Sequence, residues 1–396
     1  MSVRSIFVKI HLYLSLFLGI IFLVVGITGS VIVFDDALDE MINPELFTVS
    51  DYGDGHRKSM SEILASAKMA YPDKPAALIY PPKEKESVCL VLFKTPKEHP
   101  EAGMPKCCGG FDWFQVMVNP YTAEVLGKRD RSTYGVDGAH LIKTIYELHS
   151  SLLLGGTGRT IVGLSGIAWL IVVLSGIYLW WPRNGKFKRA LKLKHDGNSV
   201  RFNLDLHRVS GIYTAIILVV VTFTGVYLIF PEYIKPVVKV FSPLEKTPKD
   251  LTSTHTLLET KAITIEDAVK IANSTFPNAV LSHISLPIDA EDTYKVYKRQ
   301  EGEVRKTKGQ TTIWIDQYSG KVLYVKDPLK VSSGQSFINW QFPLHNGEAL
   351  GMTGRLMIFA SGIVTIILMI TGTLLWLKKK RRKALKLTTQ GEKNGK

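Results

Sequence analysis

Four long stretches of the chain contain no aspartate, glutamate, lysine or arginine. They are Leu12–Phe34, Ile161–Trp181, Val209–Phe230 and Leu356–Leu377, each 21 to 23 residues long. A core helix of a soluble domain rarely stays uncharged for so long, and this length lets a helix cross about 30 Å of hydrocarbon. The absence of charge therefore predicts a membrane protein with four spans.

Acidic residues are scarce in the chain as a whole, with 35 Asp and Glu against 49 Lys and Arg. The basic excess lies before the first span, in the linker Pro182–Leu206 and in the tail from Lys378. The positive-inside rule places these segments, and hence both termini, in the cytoplasm. We expect the two long loops, Asp35–His149 and Pro231–His345, on the periplasmic side. The excess then indicates topology and contact with anionic lipid rather than nucleic-acid binding.

Cysteine is rare: the chain has only Cys89, Cys107 and Cys108, all in the first loop. An oxidising periplasm would allow one disulfide between Cys89 and either of the other two. An odd number leaves one thiol free, or leaves the adjacent pair to bind a metal or exchange.

An internal repeat is the strongest positive feature. The segments ELHSSLLLGGTGRTI (147–161) and PLHNGEALGMTGRLM (343–357) share a Leu-His followed by Gly-x-x-Gly-Arg, at an offset of 196 residues. The same offset relates His11 to His207. A span–loop–span unit is therefore used twice. Each half starts and ends inside, which predicts parallel repeats about a pseudo-twofold axis along the membrane normal.

Each loop has a helix pattern followed by a strand–turn–strand pattern, which predicts a small α+β domain. The predicted fold is thus a four-helix transmembrane bundle with two such domains on the periplasmic side. Its boundaries are 1–34, 159–181, 207–230 and 355–377 for the spans, 35–158 (with a helix before the span) and 231–354 for the loop domains, 182–206 for the linker and 378–396 for the tail.

Only four of the ten histidines follow the repeat, and its axis brings His11 near His207 and His149 near His345. One explanation for the recurrence is that these histidines lie at the membrane interface and are alike because the two halves share an ancestor. The other is metal ligation. Two imidazoles on opposite faces of a flat cofactor suit an electron-transferring haem iron, whereas zinc would need further donors. No Cys-x-x-Cys-His occurs, so we predict two non-covalent haem b groups with these histidines as axial ligands.

Several neighbouring residues have two interpretations. Arg159 and Arg355 at one end, and Lys9 or Arg208 at the other, either pair with haem propionates or anchor in lipid headgroups. The repeated glycines either admit the macrocycle or pack helices. His140 competes as a ligand but lacks a repeat counterpart. The remaining loop histidines, which are His56, His99, His255 and His283, are predicted to be surface residues.

Three motifs resemble one known family. They are the LH…G..GR…SG…SG.YLWWPR run of Leu148–Arg183, the DLHRVSGIY segment, and the helix Ile263–Pro277 with its IEDA segment. Together they resemble the PepSY-associated transmembrane family of iron-regulated bacterial inner-membrane proteins, over nearly the whole chain. The CCGG segment (107–110) departs from that pattern. The resemblance implies a ferric-siderophore reductase in the inner membrane, with two haems between its spans and the four repeat histidines as axial ligands.

The resulting hypothesis is an oxidoreductase that passes electrons from a cytoplasmic reductase or a membrane quinol to a periplasmic ferric siderophore, releasing Fe(II). Candidate docking residues are Trp113, Trp340, Phe342 and the basic strand Lys295–Lys308. No Gly-x-Gly-x-x-Gly segment occurs, so the electron donor is expected to be a separate molecule. The alternatives are a non-enzymatic PepSY protein that binds a peptidase or envelope partner, and an uptake accessory or permease for siderophores.

Overall fold

The computed structural model describes residues 2–97, 110–193, 198–248, 251–254 and 261–394. Its contacts divide the chain into two units. One, the helical unit, comprises Met1–Val33, Tyr146–Pro231 and Leu344–Lys396. The other, the sheet unit, comprises the two loops, Phe34–Ile145 and Glu232–Pro343.

Helices and strands are numbered here in chain order. The helices are α1 (Val3–Ile32), α2 (Asp35–Ile42), α3 (Pro44–Phe47), α4 (Met60–Ala70), α5 (Gly138–Ser151), α6 (Gly155–Trp180), α7 (Phe187–Ala190), α8 (Ser199–Ile229), α9 (Pro231–Phe241), α10 (Ile265–Thr275), α11 (Ser333–His345) and α12 (Gly351–Asn394). The strands are β1 (Ala76–Tyr80), β2 (Cys89–Pro96), β3 (Phe111–Val118), β4 (Val125–Asp130), β5 (Val280–Ser285), β6 (Thr293–Arg299), β7 (Thr311–Asp316) and β8 (Val322–Lys326).

Four helices of the helical unit, α1, α6, α8 and α12, are long and apolar enough to cross a membrane. Helix α1 packs against α6 and α12, and α8 packs against the same two helices. The prediction of four transmembrane helices is confirmed, and a multi-pass membrane protein is the class that they indicate.

The helices extend beyond the uncharged runs. Helix α8 begins inside the predicted linker at Ser199, where the Asn198 side chain accepts hydrogen bonds from the backbone N–H groups of Val200 and Arg201. Helix α12 starts at Gly351 and continues into the basic tail. Lysine and arginine are good helix formers, so the loss of apolar residues marks the limit of the apolar segment and not the end of the helix.

The two loops do not form separate domains, contrary to the sequence-based prediction. Their strands make one eight-stranded sheet in the order β4-β3-β2-β1-β5-β6-β7-β8. The halves meet where β1 and β5 pair antiparallel, with Leu78 opposite Ser285 and Ile79 opposite Ile284. Each half alone would leave β1 or β5 as an exposed edge, and this pairing satisfies both edges.

The joined sheet has one hydrophobic core under α4 and α10. Ile79 and Ile284, from opposite loops, are fully buried in it. The two helices are also linked directly, because the Ser61 hydroxyl donates to the Glu266 carboxylate at 2.6 Å. Both loops therefore contribute to one folded unit.

Cys89 is buried in this core with a free thiol, and its Sγ donates to the Tyr80 carbonyl oxygen at 3.2 Å. Burial raises the pKa of the Cys89 thiol to about 12, so it stays protonated. Cys107 and Cys108, the expected disulfide partners, lie outside the described residues.

The shared core makes a testable prediction about coupling between the loops. Replacing Ile79 by Ala should lower the free energy of unfolding by about 2–5 kcal/mol, because it removes methyl groups that are buried in the core shared by both loops. Hydrogen exchange of the full-length protein should then accelerate in β5 and β6 of the second loop as well as in β1 and β2. Val280→Ala, at an exposed position of β5, is the matched control. Acceleration confined to the first loop would contradict the shared core.

Candidate functional site

The four repeat histidines lie in two pairs within the helical unit. The ring centroids of His11, on α1, and His207, on α8, are 6.2 Å apart, and their planes cross at 86°. The centroids of His149, in the last turn of α5, and His345, at the end of α11, are 6.0 Å apart with planes at 49°. In both pairs, residues far apart in sequence bring two imidazoles together.

The pairs lie near opposite ends of α1. His149 contacts α1 at Val25 and Gly29, which follow His11 by 14 and 18 residues. At 1.5 Å per residue, the contact lies about 21–27 Å from His11 along the helix. That separation is comparable with the hydrocarbon thickness of a membrane.

In the His149/His345 pair, Nδ1 of each imidazole is hydrogen-bonded to a neighbouring helix. His149 Nδ1 lies 3.0 Å from the Val25 carbonyl oxygen, and His345 Nδ1 lies 2.9 Å from that of Val221. A carbonyl oxygen can only accept a hydrogen bond, so Nδ1 must bear the proton. Each Nε2 is then left with its lone pair, as a metal ligand requires.

In the His11/His207 pair, Nδ1 is again the hydrogen-bonded nitrogen, but its partners are mostly side-chain hydroxyl groups. His11 Nδ1 lies 3.0 Å from both the Val172 carbonyl oxygen and the Ser175 hydroxyl. His207 Nδ1 lies 3.0 Å from the Thr371 hydroxyl. Hydrogen bonding at Nδ1 fixes the orientation of each ring and directs Nε2 away from the supporting helix.

Each imidazole rests against a glycine of its supporting helix. A Cβ atom built at Gly29 would lie 2.8 Å from Cε1 of His149, and one at Gly225 would lie 2.9 Å from Cε1 of His345. The corresponding distances are 3.2 Å from Gly176 to His11 and 3.3 Å from Gly372 to His207. These four glycines therefore make room for the histidine rings themselves, a role that the sequence did not suggest.

The pair geometry fits two axial ligands of one metal ion. A metal–imidazole bond of about 2.0–2.1 Å, with roughly 1.1–1.2 Å from nitrogen to ring centroid, puts two opposed rings about 6.2–6.6 Å apart. The observed 6.2 Å is at the lower end of this range, and the observed 6.0 Å is slightly shorter. Within the described part of the chain, no group of three or more His, Cys, Asp or Glu side chains could hold a metal ion. Two-ligand sites completed by a macrocycle fit the residues better than zinc sites.

A cavity of about 830 Å³ adjoins the His11/His207 pair. Apolar side chains such as Trp169 and Met369 form part of its wall, and its basic lining residues are Arg4, Arg183, Arg208 and Lys379. An apolar cavity with basic groups suits a flat, largely apolar cofactor with carboxylates. Of these basic residues the sequence singled out only Arg208, whose Nη1 lies 3.9 Å from the Asp205 carboxylate. Arg4, Arg183 and Lys379 could have been predicted as lining residues from their positions at the ends of the spans.

The two arginines expected at the other end have different surroundings. The Arg159 guanidinium donates to the Leu228 carbonyl oxygen at 2.6 Å, in the last turn of α8. This contact stabilises a helix end and occupies one of its donors. For Arg355, no side-chain hydrogen bond with the described residues is found. Lys9 is exposed and does not line the cavity.

The other histidine candidates are distributed differently from the pairs. His140 Nδ1 lies 2.8 Å from the Asp137 carboxylate, in the first turn of α5. His56 is exposed, as expected. His283 is half-buried and is stacked between two tyrosines of the sheet. His99 and His255 lie outside the described residues.

The candidate docking residues all belong to the sheet unit. Trp340 and Phe342 are exposed on α11, and Trp113 is half-buried on β3. The segment Lys295–Lys308 is not one strand, since β6 ends at Arg299 and a loop follows. Gly302, which has a positive φ, lies in a turn within that loop.

Comparison with known proteins gives one family. Residues 8–379 match the family described as PepSY-associated TM region. This range includes both histidine pairs and both loops. No curated protein matches the chain.

The hydrogen bonds at Nδ1 predict the tautomer of the paired histidines. With ¹⁵N-imidazole-labelled protein in detergent and without added cofactor, all four rings should show the Nδ1–H form, although free neutral imidazole side chains favour Nε2–H. Single His→Gln variants would assign the signals. A dominant Nε2–H form in either pair would contradict the proposed orientation of the lone pairs.

Proposed function

The chain belongs to the PepSY-associated TM region family, and we propose that it is a membrane electron-transfer protein that holds two haem b groups and reduces ferric siderophores. In this proposal it lies in the bacterial inner membrane with both termini in the cytoplasm and both loops in the periplasm. The basic linker and tail support that orientation. One electron converts Fe(III) to Fe(II), which binds hard oxygen chelators more weakly and is released.

The observation that supports haem is the pairing of the four histidines. Their centroid separations of 6.2 Å and 6.0 Å are close to the spacing that two imidazoles would have on one metal ion, and the Nδ1 hydrogen bonds leave each Nε2 available. Haem held by two histidines supplies a one-electron Fe(III)/Fe(II) couple without an open coordination position. His11 with His207, and His149 with His345, would each hold one group.

The surrounding residues would position the cofactors and exclude water. At the His11/His207 pair, apolar side chains form much of the cavity wall, and Arg4, Arg183 and Lys379 also line it and would neutralise carboxylates. The separation of about 21–27 Å between the pairs supports transfer across the membrane rather than along one face.

The electron donor is proposed to be a cytoplasmic reductase or a membrane quinol. The sequence has no Gly-x-Gly-x-x-Gly segment of the kind that binds a dinucleotide. A second molecule must therefore deliver the electron, and the pair nearest the basic linker, His11/His207, is where the proposal has it enter.

The first test is the visible spectrum of the purified protein with and without dithionite. We expect b-type bands and two haems per chain. A His11→Ala, His207→Ala variant and a His149→Ala, His345→Ala variant should each retain one haem, because each removes both axial ligands of a single group. His140→Ala is the matched control and should retain two.

Activity is tested by mixing the dithionite-reduced protein, freed of dithionite, with a ferric siderophore and a ferrous-iron trap. Reoxidation of the haem bands with formation of the trap complex supports the proposal. A protein that is fully folded but colourless would contradict the proposed haem groups. A protein that shows haem bands but never yields trapped Fe(II) would contradict the proposed reductase activity.

The glycine contacts give a finer prediction. Gly29→Ala places a methyl group 2.8 Å from Cε1 of His149, so the ring must shift from its ligating position. We expect loss of the haem held by His149 and His345, or altered low-temperature spectra of that haem alone. Ile27→Ala, at an exposed position of the same helix, is the control. Equal spectra for the two variants would contradict the assigned role of Gly29.

A further inference from the structure

Helix α9, the first helix of the second loop, has an apolar face that the protein leaves largely uncovered. At about 100° per residue, its four exposed apolar positions fall within roughly 100° of the helix circumference and form one continuous strip. No side chain of α9 is buried, and none belongs to the hydrophobic cores formed by the described residues. The members of this apolar face, with their exposed fractions, are Tyr233 (71%), Val237 (58%), Val240 (79%) and Phe241 (84%).

Beyond the apolar face, the surface of α9 is partly covered by the protein. Ile234 and Val238 are half-buried, and Lys235 acts electrostatically on Lys326 of β8. Just after the helix, the Ser242 hydroxyl accepts a hydrogen bond from the N–H of Gly334, near the start of α11, at 2.8 Å. The helix is therefore held by its neighbours in the sheet unit while its apolar face stays open.

The start of α9 lies at the end of a membrane span. The uncharged run Val209–Phe230 ends one residue before Pro231, so the first residue of α9 is about 3.8 Å from the end of the apolar segment. Phe230 itself is not helical, with φ −121° and ψ 52°, so α9 is a separate helix and not a continuation of α8. By covalent connection alone, α9 begins at the boundary between hydrocarbon and headgroups.

The first half of the chain provides an internal comparison. Helix α2 occupies the equivalent place, because Asp35 is related to Pro231 by the repeat offset of 196 residues. It has four acidic residues and no basic one, and its Asp39 carboxylate is buried in an ion pair with Arg129 at 2.5 Å. Helix α9 has one acidic residue and two lysines. A basic helix with an exposed apolar face is therefore particular to the second half.

An amphipathic helix can dock in a groove of another protein as well as on a membrane. The connection to the span favours lipid, because it fixes the first residue of α9 at the membrane boundary. The apolar side chains recur along a helix of about 16 Å. If α9 stood along the membrane normal, Val240 and Phe241 would be held in water, whereas a helix parallel to the surface brings the whole apolar face to the level of the acyl chains.

We propose that α9 lies in the lipid–water interface of the leaflet on the side of the two loops, with its apolar face inserted among the acyl chains. Lys235 and Lys239, on the other side of the helix, then lie among the headgroups and in water. The partner of this surface is the bilayer itself. The inference depends neither on haem nor on siderophore reduction.

Thiol labelling of the full-length protein, in lipid nanodiscs that hold one copy each, tests this placement. The background variant replaces Cys107 and Cys108 by serine, and Cys89 is buried with its thiol pKa raised to about 12, so it does not react. In this background, Val237→Cys should react with a charged, membrane-impermeant maleimide at least about tenfold more slowly than Val280→Cys. Val237 and Val280 have the same exposed fraction, 58%, so the protein alone would give similar rates.

Two further thiols serve as matched controls. Met41→Cys, on α2, is the repeat counterpart of Val237→Cys and starts from a residue that is 70% exposed. Lys235→Cys lies on the other side of α9. Both should react as rapidly as Val280→Cys, and all four variants should react equally once the protein is denatured.

Insertion itself is tested by adding Phe241→Glu to the Val237→Cys variant, because a carboxylate in the apolar face opposes burial in lipid. Labelling should become several-fold faster, while unchanged amide exchange of β7 and β8 shows that the sheet is intact. Equal rates for Val237→Cys and Val280→Cys would overturn the proposal and leave the face open for a second copy or a protein partner. Equal protection of Val237→Cys and Lys235→Cys would also overturn it, because one side of α9 would then not be distinguished from the other.

Discussion

The hydrogen bond from histidine Nδ1 to an oxygen of a neighbouring helix is the contact on which the proposed site depends. Without it, an imidazole at a helix end could rotate and expose either nitrogen. With it, His149 and His345 are held by the Val25 and Val221 carbonyl oxygens at 3.0 Å and 2.9 Å. A helix carbonyl already accepts a backbone hydrogen bond, and its second lone pair receives the imidazole N–H without breaking the helix. The supporting helix thus sets both the tautomer and the direction of Nε2.

That contact in turn requires glycine. An imidazole can reach the backbone of a packed helix only where no side chain intervenes, and Gly29 and Gly225 provide such places. Glycine costs about 1 kcal/mol relative to alanine in a helix interior. The cost is offset where close approach gives a hydrogen bond in surroundings from which water is excluded, because an unpaired imidazole N–H there is expensive. The four glycines and four histidines therefore form one arrangement repeated at each ring.

Much of the helical unit could be predicted from sequence because its signals are local or symmetric. Uncharged runs predict the spans, and the offset of 196 residues predicts the histidine pairs. The helix ends were misplaced because hydropathy does not detect where α8 begins at its Asn198 cap. The joined sheet was missed for a different reason. Whether β1 pairs with β5 depends on two edges about 200 residues apart, and no local pattern records which edges meet. The stacking of His283 on Tyr80 could not be predicted for the same reason, since that contact forms only across the seam.

The joined sheet also constrains the topology. Strands β1 and β5 share a hydrogen-bonded register, so the two loops must lie on the same side of any membrane that the four helices cross. The chain enters the first loop after α1 and the second after α8, with α6 and the linker between them, so an even number of crossings separates the loops. If α6 and α8 both cross, the linker lies on the opposite side from the loops. The pairing of two backbone strands thus requires that α6 and α8 either both cross the membrane or both do not, independently of hydropathy and of the distribution of basic residues. A three-crossing arrangement, with α6 or α8 lying along the membrane surface, would separate the loops and break the sheet.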